Sequence, residues 1–286
     1  MDYQELVSRY GAFSAHNFRI EGVEDGYTLG DRPSSDDEKI YRVAQIASDF
    51  AGGDLEGKRV LDIAGLEGIY AIELALRGAF VTVVEIREAN IEKARFAARA
   101  FGVVDRIEFI EADILETNLG EYDIVLCLGI FYHFDKVDTF RFAEKVMSAL
   151  RPGGCLIVDT FISLFPHAIY RHRGVAYFGN PWIEHLPWTS EARKKAKLWQ
   201  SVKYNTAIYL TRESIARLFS NLGCTTFQES LVPGEPGKPR QRTTFVGIKG
   251  RAVTTATNPW IDRCDRRIRE RNILARLLAL LAGGSR

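Results

Sequence analysis

At 286 residues, 46% of them hydrophobic, the chain is long enough to bury one large core with a substantial insertion, which excludes disorder as a global description. With 38 Lys and Arg against 37 Asp and Glu, no whole-molecule field would gather nucleic acid or an anionic membrane, and this counts against a polymer substrate. Cys127, Cys155, Cys224 and Cys264 lack the short paired spacings of a zinc site or redox centre, the first residues lack a signal-peptide core, and no apolar run reaches bilayer length; reduced thiols and a cytoplasmic location are expected.

A polar lead occupies residues 1–35. Ser35-Asp36-Asp37-Glu38 then has the Ser-x-x-Glu form of a capping box, and Ile40, Val43, Ile46 and Ala47 follow at helical spacing. Short apolar runs at residues 59–63, 81–85, 107–110, 124–128 and 155–158 predict strands buried on both faces. Between them, residues 67–77, 89–101 and 137–150 carry apolar side chains three and four apart and predict crossover helices, so the core over residues 36–160 reads as a parallel sheet. Arg151-Pro152-Gly153-Gly154 is expected to be a turn into the fifth strand.

From 161 to 210 the pattern breaks into aromatic, His-rich and basic sequence, expected to be an insertion covering the carboxyl ends of the strands. Thr211 is placed to cap a helix that stops at Gly223, and residues 225–229 and 244–249 add two strands within a remainder of the core, 211–250. The expected fold is thus α/β, a seven-stranded mostly parallel sheet with helices on both faces and an inserted cap. The last segment, 251–286, is expected to hold an amphipathic helix over residues 260–282, basic in DRRIRERN and apolar in ILARLLALLA. It either packs on its own domain or a second copy of the chain, giving a homodimer, or lies on a membrane surface; it is too short to span one.

The run Val60-Leu61-Asp62-Ile63-Ala64-Gly65-Leu66-Glu67-Gly68 puts a strand and a small-residue turn directly before a helix. Gly65 and Gly68 let backbone approach a ligand, and the helix N-terminus offers free N–H groups to a carboxylate. Asp62 can accept from an amino group. Glu85, closing the second strand, can accept both ribose hydroxyls of an adenosine, with Ile86 next to it. Asp113 follows the third strand, where it can accept from an adenine amino group while Ile114 packs on the ring. Leu128 and Gly129 end the fourth strand, and Gly129 permits close approach to the sheet edge. Acidic residues at the carboxyl ends of successive strands mark the crevice where open α/β sheets bind ligands.

The segments VLDIAGLEG, VTVVE, EADIL and YDIVLCLGIFYHF resemble successive motifs of class I, Rossmann-like S-adenosylmethionine-dependent methyltransferases, over about residues 59–158. The resemblance implies S-adenosyl-L-methionine as cofactor, bound at Asp62, Ala64, Gly65, Gly68, Glu85, Ile86, Asp113, Ile114, Leu128 and Gly129. That family has an acidic residue followed by x-Gly-x-Gly-x-Gly, and here Ala64 and Leu66 stand at the first two glycines, so a less open turn is expected. HNFRIEGVEDGYTLG at 16–30 and Phe131-Tyr132-His133 also resemble the subgroup of tRNA wobble-uridine carboxymethyltransferases.

Methyl transfer is an in-line displacement, so alignment and exclusion of water matter most, and a base is needed only for a hydroxyl or protonated amine. His133 is either that base or a hydrogen-bonded structural residue; Tyr132 either lines the transfer channel or packs; His167 and His185 are alternative bases. In the insertion Trp182, His185, Trp199 and Tyr204 form either an acceptor pocket or a satellite core, and Arg171 either holds an anionic group or is solvated. No metal-ligand spacing is evident, so no metal is expected. The leading expectation is a methyltransferase acting on O or N of a small-molecule metabolite or natural product. The alternatives are a tRNA-modifying methyl- or carboxymethyltransferase and a cofactor-binding protein without transferase activity.

Overall fold

The computed structural model describes residues 1–23, 26–30, 37–197, 199–230 and 241–250. In chain order it runs α1 (Tyr3–Tyr10), α2 (Asp37–Phe50), β1 (Arg59–Ile63), α3 (Ile69–Leu76), β2 (Phe80–Glu85), α4 (Glu88–Ala100), β3 (Ile107–Glu111), β4 (Tyr122–Leu128), α5 (Asp138–Ala149) and β5 (Leu150–Phe161). There follow β6 (Ala168–His172), β7 (Val175–Ile183), α6 (Glu191–Ala196), β8 (Thr206–Leu210), α7 (Arg212–Asn221), β9 (Cys224–Glu229) and β10 (Arg242–Lys249). The C-terminal helix expected over residues 260–282, and the first half of the expected capping box, lie outside the described residues.

Each of the seven expected core strands forms, in a single sheet of order β3-β2-β1-β4-β5-β10-β9. β1 to β5 pair in parallel, while β10 runs antiparallel to both β5 and β9. Strand alternation splits the apolar side chains between two cores. Val60, Val81, Val83, Ile124, Leu126 and Ile157 face α1 to α4, and Leu61, Ile63, Val84, Val125, Leu156 and Val158 face α5 and α7. This two-sided burial is why the strands read as continuous apolar runs. Cys127, Cys155 and Cys224 are buried free thiols within it.

Three local features differ from the expectation. α3 begins at Ile69 rather than Glu67, because Gly68 caps it in the left-handed conformation, φ 81°. Arg151-Pro152-Gly153-Gly154 is not a turn before β5 but a bulge inside it: Leu150 pairs with Tyr122 and Cys155 with Ile124, so the tetrapeptide is taken up between two pairings. The insertion carries its own antiparallel sheet, β6-β7-β8, whose Tyr177, Ile208 and Leu210 join the α5/α7 core. Its first hairpin turns at Arg173-Gly174, both with positive φ, as a two-residue primed turn requires.

The lead is integral to the core: Leu6, Phe13, Phe18, Ile20 and Val23 are buried on the α1 to α4 side. Among the described residues, no helix is long and apolar enough to cross a membrane.

Candidate active site

A cavity of about 460 Å3 opens at the carboxyl ends of the parallel strands. The chain steps outward from β1 to β2 and β3, then reverses across β1 to β4, and the cavity sits over that reversal. Its walls are built from residues that directly follow the strands: Ala64 and Leu66 after β1, Glu85 to Arg87 at β2, Ala112 to Ile114 after β3, and Leu128 to Ile130 at β4.

The turn after β1 is pinned by Ala64 N–H donating to Val84 O at 2.8 Å and Gly68 N–H to Gly65 O at 2.8 Å. Ala64 and Leu66 themselves take φ of 55° and 49°, so the chain adopts at both positions the left-handed backbone a glycine would give freely. An L-residue there costs roughly 1–2 kcal/mol, local strain held by the surrounding contacts. A side chain at Gly65 would sit 2.8 Å from Asp62 Oδ2 and 2.9 Å from Val83, so this position tolerates none. Asp62 stands behind the turn, 1% exposed, with Oδ2 lacking any hydrogen-bond partner. Burial, with the Glu85 charge beside it, pushes its carboxyl up to about 7.

At the β2–β3 end, Glu85 is 2% exposed and accepts from Leu66 N–H at 3.2 Å and Arg87 N–H at 2.9 Å. Burial raises its carboxyl against these bonds and the Arg87 charge. Ile86 and Ile114 line the wall, and Asp113 lines it with Oδ1 accepting from Leu115 N–H. Arg87 donates to Lys195 O, Lys197 O and Gln200 O, holding these three residues against this end. Trp199 and Tyr204, expected in an acceptor pocket, therefore lie beside the residues expected to hold adenosine. Tyr204 donates to Asp138, and Lys203 Nζ is 3.6 Å from Asp113 Oδ2.

At the other end, Gly129 (φ 88°) lets Arg242 close in; a Cβ there would meet its guanidinium at 3.2 Å. Arg242 Nε donates to Asp159 Oδ1 at 2.6 Å and Lys39 Nζ lies 3.1 Å from the same oxygen. Burial alone would raise the Asp159 carboxyl, but the two cations outweigh it and hold it at about 2. Tyr132 and His133 sit in a short 3-10 turn, Phe131–His133, with Tyr132 under the Arg242 guanidinium. His133 Nδ1 lies 3.1 Å from Glu184 Oε1, off the direction of a formed hydrogen bond. Glu184 is 4% exposed, and its Oε2 accepts from Ser201 N–H at 3.0 Å.

Seven expected residues do not line the cavity: Asp62, Gly65 and Gly68 at β1 and the turn after it, and His167, Arg171, Trp182 and His185 in the insertion. His167 and Arg171 are exposed, the first with its N–H on Asn180 Oδ1, the second on the outer side of the β6–β7 hairpin. Trp182 is half exposed and stacks on Tyr209. His185 is buried with Nε2 on Ser201 O at 2.6 Å, so that ring nitrogen ties the insertion together. Residues the sequence reading missed are Glu184, Asp159, Arg242, Lys39 and His16; Glu184 was signalled only by adjacency to His185. Among the described residues, no group of His, Cys, Asp and Glu is arranged to hold a metal.

A reversal-point crevice with acidic residues at the strand ends defines a doubly wound α/β protein built to take a nucleotide-like ligand. More particularly, residues 60–154 match the family described as a methyltransferase domain. The chain is 29% identical over 121 residues to the ubiquinone biosynthesis O-methyltransferase of Rickettsia canadensis (strain McKiel), covering 42% of this chain and 49% of that protein. It thus spans about half the length of the curated relatives it matches. The N-terminal domain of EvdMO1, solved in the presence of SAH and D-fucose, superposes with TM-score 0.64 at 20% identity, over 88% of this chain and 98% of that one. The Burkholderia thailandensis 1,6-didemethyltoxoflavin-N1-methyltransferase, solved with 1,6-didemethyltoxoflavin and S-adenosylhomocysteine, gives 0.55 at 17% identity, over 76% and 80%. Residues 60–154 thus match a methyltransferase domain, and the chain shares the doubly wound α/β fold of these solved structures.

Proposed function

We propose that the chain transfers a methyl group from S-adenosylmethionine to a hydroxyl of a small-molecule acceptor in the cytoplasm. One observation carries this reading: a single cavity joins Glu85, at the end of β2, to His133 backed by the buried Glu184. The residues present fit the cofactor. Asp62 Oδ2, packed behind Gly65, is buried without a partner, suited to an ammonium group. Glu85 would take the ribose hydroxyls, and Asp113 with Ile114 the adenine. Bound there, S-adenosylmethionine supplies an electrophilic methyl group on a sulfonium.

The chain's own part is alignment, exclusion of water and one proton transfer. His133 takes the acceptor's hydroxyl proton at Nε2 while Glu184 faces Nδ1 and stabilises the imidazolium that results. Tyr132, packed edge-on against Phe161, walls the acceptor side, and residues 199–204 close the nucleoside side. The name of the curated relatives, O-methyltransferases, supports a hydroxyl acceptor, and the D-fucose solved with EvdMO1 puts sugars in the first panel to try. The test is transfer of labelled methyl from S-adenosylmethionine to phenols, catechols and sugars. His133→Ala should lower kcat on the active acceptor by about 10²–10⁴ with S-adenosylhomocysteine binding unchanged. Full activity in that variant, or labelling of amines alone, contradicts the reading.

A further inference from the structure

The lead segment reaches the cavity by a route that the proposed chemistry does not require. Glu67 lies inside the turn between Leu66 and Gly68, yet its carboxylate points away from the cavity wall and is fully buried, 0% exposed. Its Oε1 accepts from Ser14 N–H at 2.8 Å and Ser14 Oγ at 3.1 Å, and its Oε2 from Ala15 N–H at 2.9 Å and His16 N–H at 2.8 Å. Lys93 Nζ, 3.5 Å from Oε1, donates to Ala12 O and balances the charge. A buried carboxylate taking three successive backbone N–H groups is a clamp, since breaking one partner leaves a desolvated charge. What the clamp delivers is His16, whose ring borders the cavity while being 5% exposed.

The tautomer of His16 follows from its neighbour. Ile69 N–H, the first of α3, donates to Nδ1 at 3.4 Å, so a neutral ring carries its proton on Nε2. Burial, and next the Lys39 charge, hold the imidazole far below its usual range, at about 3, so it stays neutral. The edge-on faces of Phe18 and Tyr70 fix the ring plane. The turn that carries Glu67 also has the partnerless Asp62 Oδ2 packed behind Gly65, of opposite hydrogen-bonding sense. A neutral N–H donor held at the first N–H of α3 and a buried acceptor behind Gly65 are complementary to a zwitterionic amino acid.

Resting on the methyltransferase reading, we infer that His16 Nε2–H binds the carboxylate of the cofactor's amino-acid tail, and that Glu67 is the residue that positions it. The lead segment is then part of the binding site, not a flank of the fold. The experiment is calorimetric titration with S-adenosylhomocysteine, which has the tail, and 5′-methylthioadenosine, which lacks it. His16→Leu should weaken the first about tenfold or more and leave the second within about twofold, and His16→Gln, which restores a donor at similar reach, should recover part of the loss. Glu67→Gln should weaken the tailed ligand in the wild-type background yet add little to His16→Leu, a coupling that general destabilisation would not produce. Equal losses for both ligands, or none, overturn the inference while leaving the methyltransferase reading intact. Failure of the unaltered protein to bind either ligand removes that reading, and the inference with it.

Discussion

Asp62→Asn separates stability from function at the candidate site. Burial, with Glu85 nearby, moves the Asp62 carboxyl from 3.8 up to about 7, against a backbone hydrogen bond from Ala71. Because the folded value is the higher, the stability linked to Asp62 is fully present below pH 3.8 and is lost as pH rises through about 7. At about 1.4 kcal/mol per pH unit, the whole loss is about 4 kcal/mol, of which about 2.5 kcal/mol falls between about pH 5 and 8. Asparagine keeps the volume and removes the titration. The variant's unfolding free energy in urea, followed by circular dichroism, should therefore gain on the wild type by about 2.5 kcal/mol across that range. The same variant should bind S-adenosylhomocysteine more weakly, since the carboxylate suited to an ammonium is gone. Parallel stability curves, or a variant less stable than the wild type at pH 8, would refute the reasoning, because Asp62 would then be satisfied in the folded protein.

Three further outcomes follow from the geometry. Glu184→Gln leaves His133 without its buried counter-charge, so kcat should fall by about 10² while binding of S-adenosylhomocysteine holds; an unchanged kcat contradicts the pairing. Ala64→Gly relieves a left-handed residue at φ 55° but loosens the unfolded chain, for a net gain of about 0.5 kcal/mol and a rise of about 1–2 °C in Tm; a fall in Tm contradicts the strain. Arg87→Ala removes the donors that hold the carbonyls of Lys195, Lys197 and Gln200, so protease cleavage between residues 190 and 204 should quicken several-fold; unchanged cleavage contradicts the latch.

Local sequence pattern was sufficient wherever a side chain's role follows from its own strand or turn. The parallel strands were legible because double-sided burial demands apolar runs, and Glu85, Asp113 and Gly129 because strand ends project into the crevice. Thr211 was legible as a cap, and its hydroxyl accepts from Ser214 N–H. What stayed hidden depends on contacts across long sequence separations. Glu67 meets residues 14–16, Asp159 meets Lys39 and Arg242, and Glu184 meets His133, pairings that no periodicity encodes. The insertion's β6–β8 sheet was hidden for another reason: its strands are only partly buried, so they lack the apolar runs of the core. The glycine substitutions at Ala64 and Leu66 suggested a less open turn, but the backbone of the turn kept its left-handed form with other side chains.

In the proposed function, the crevice over β1, β2 and β4 takes an adenosyl cofactor through Glu85. Calorimetric titration with S-adenosylmethionine, S-adenosylhomocysteine and NADH, in the wild type and in Glu85→Ala, tests it most directly. Both adenosyl ligands should bind the wild type and NADH should not, and Glu85→Ala should weaken the adenosyl ligands by about 10- to 100-fold through loss of hydrogen bonds to a charged acceptor. Absence of adenosyl binding, or equal binding of NADH, would contradict it.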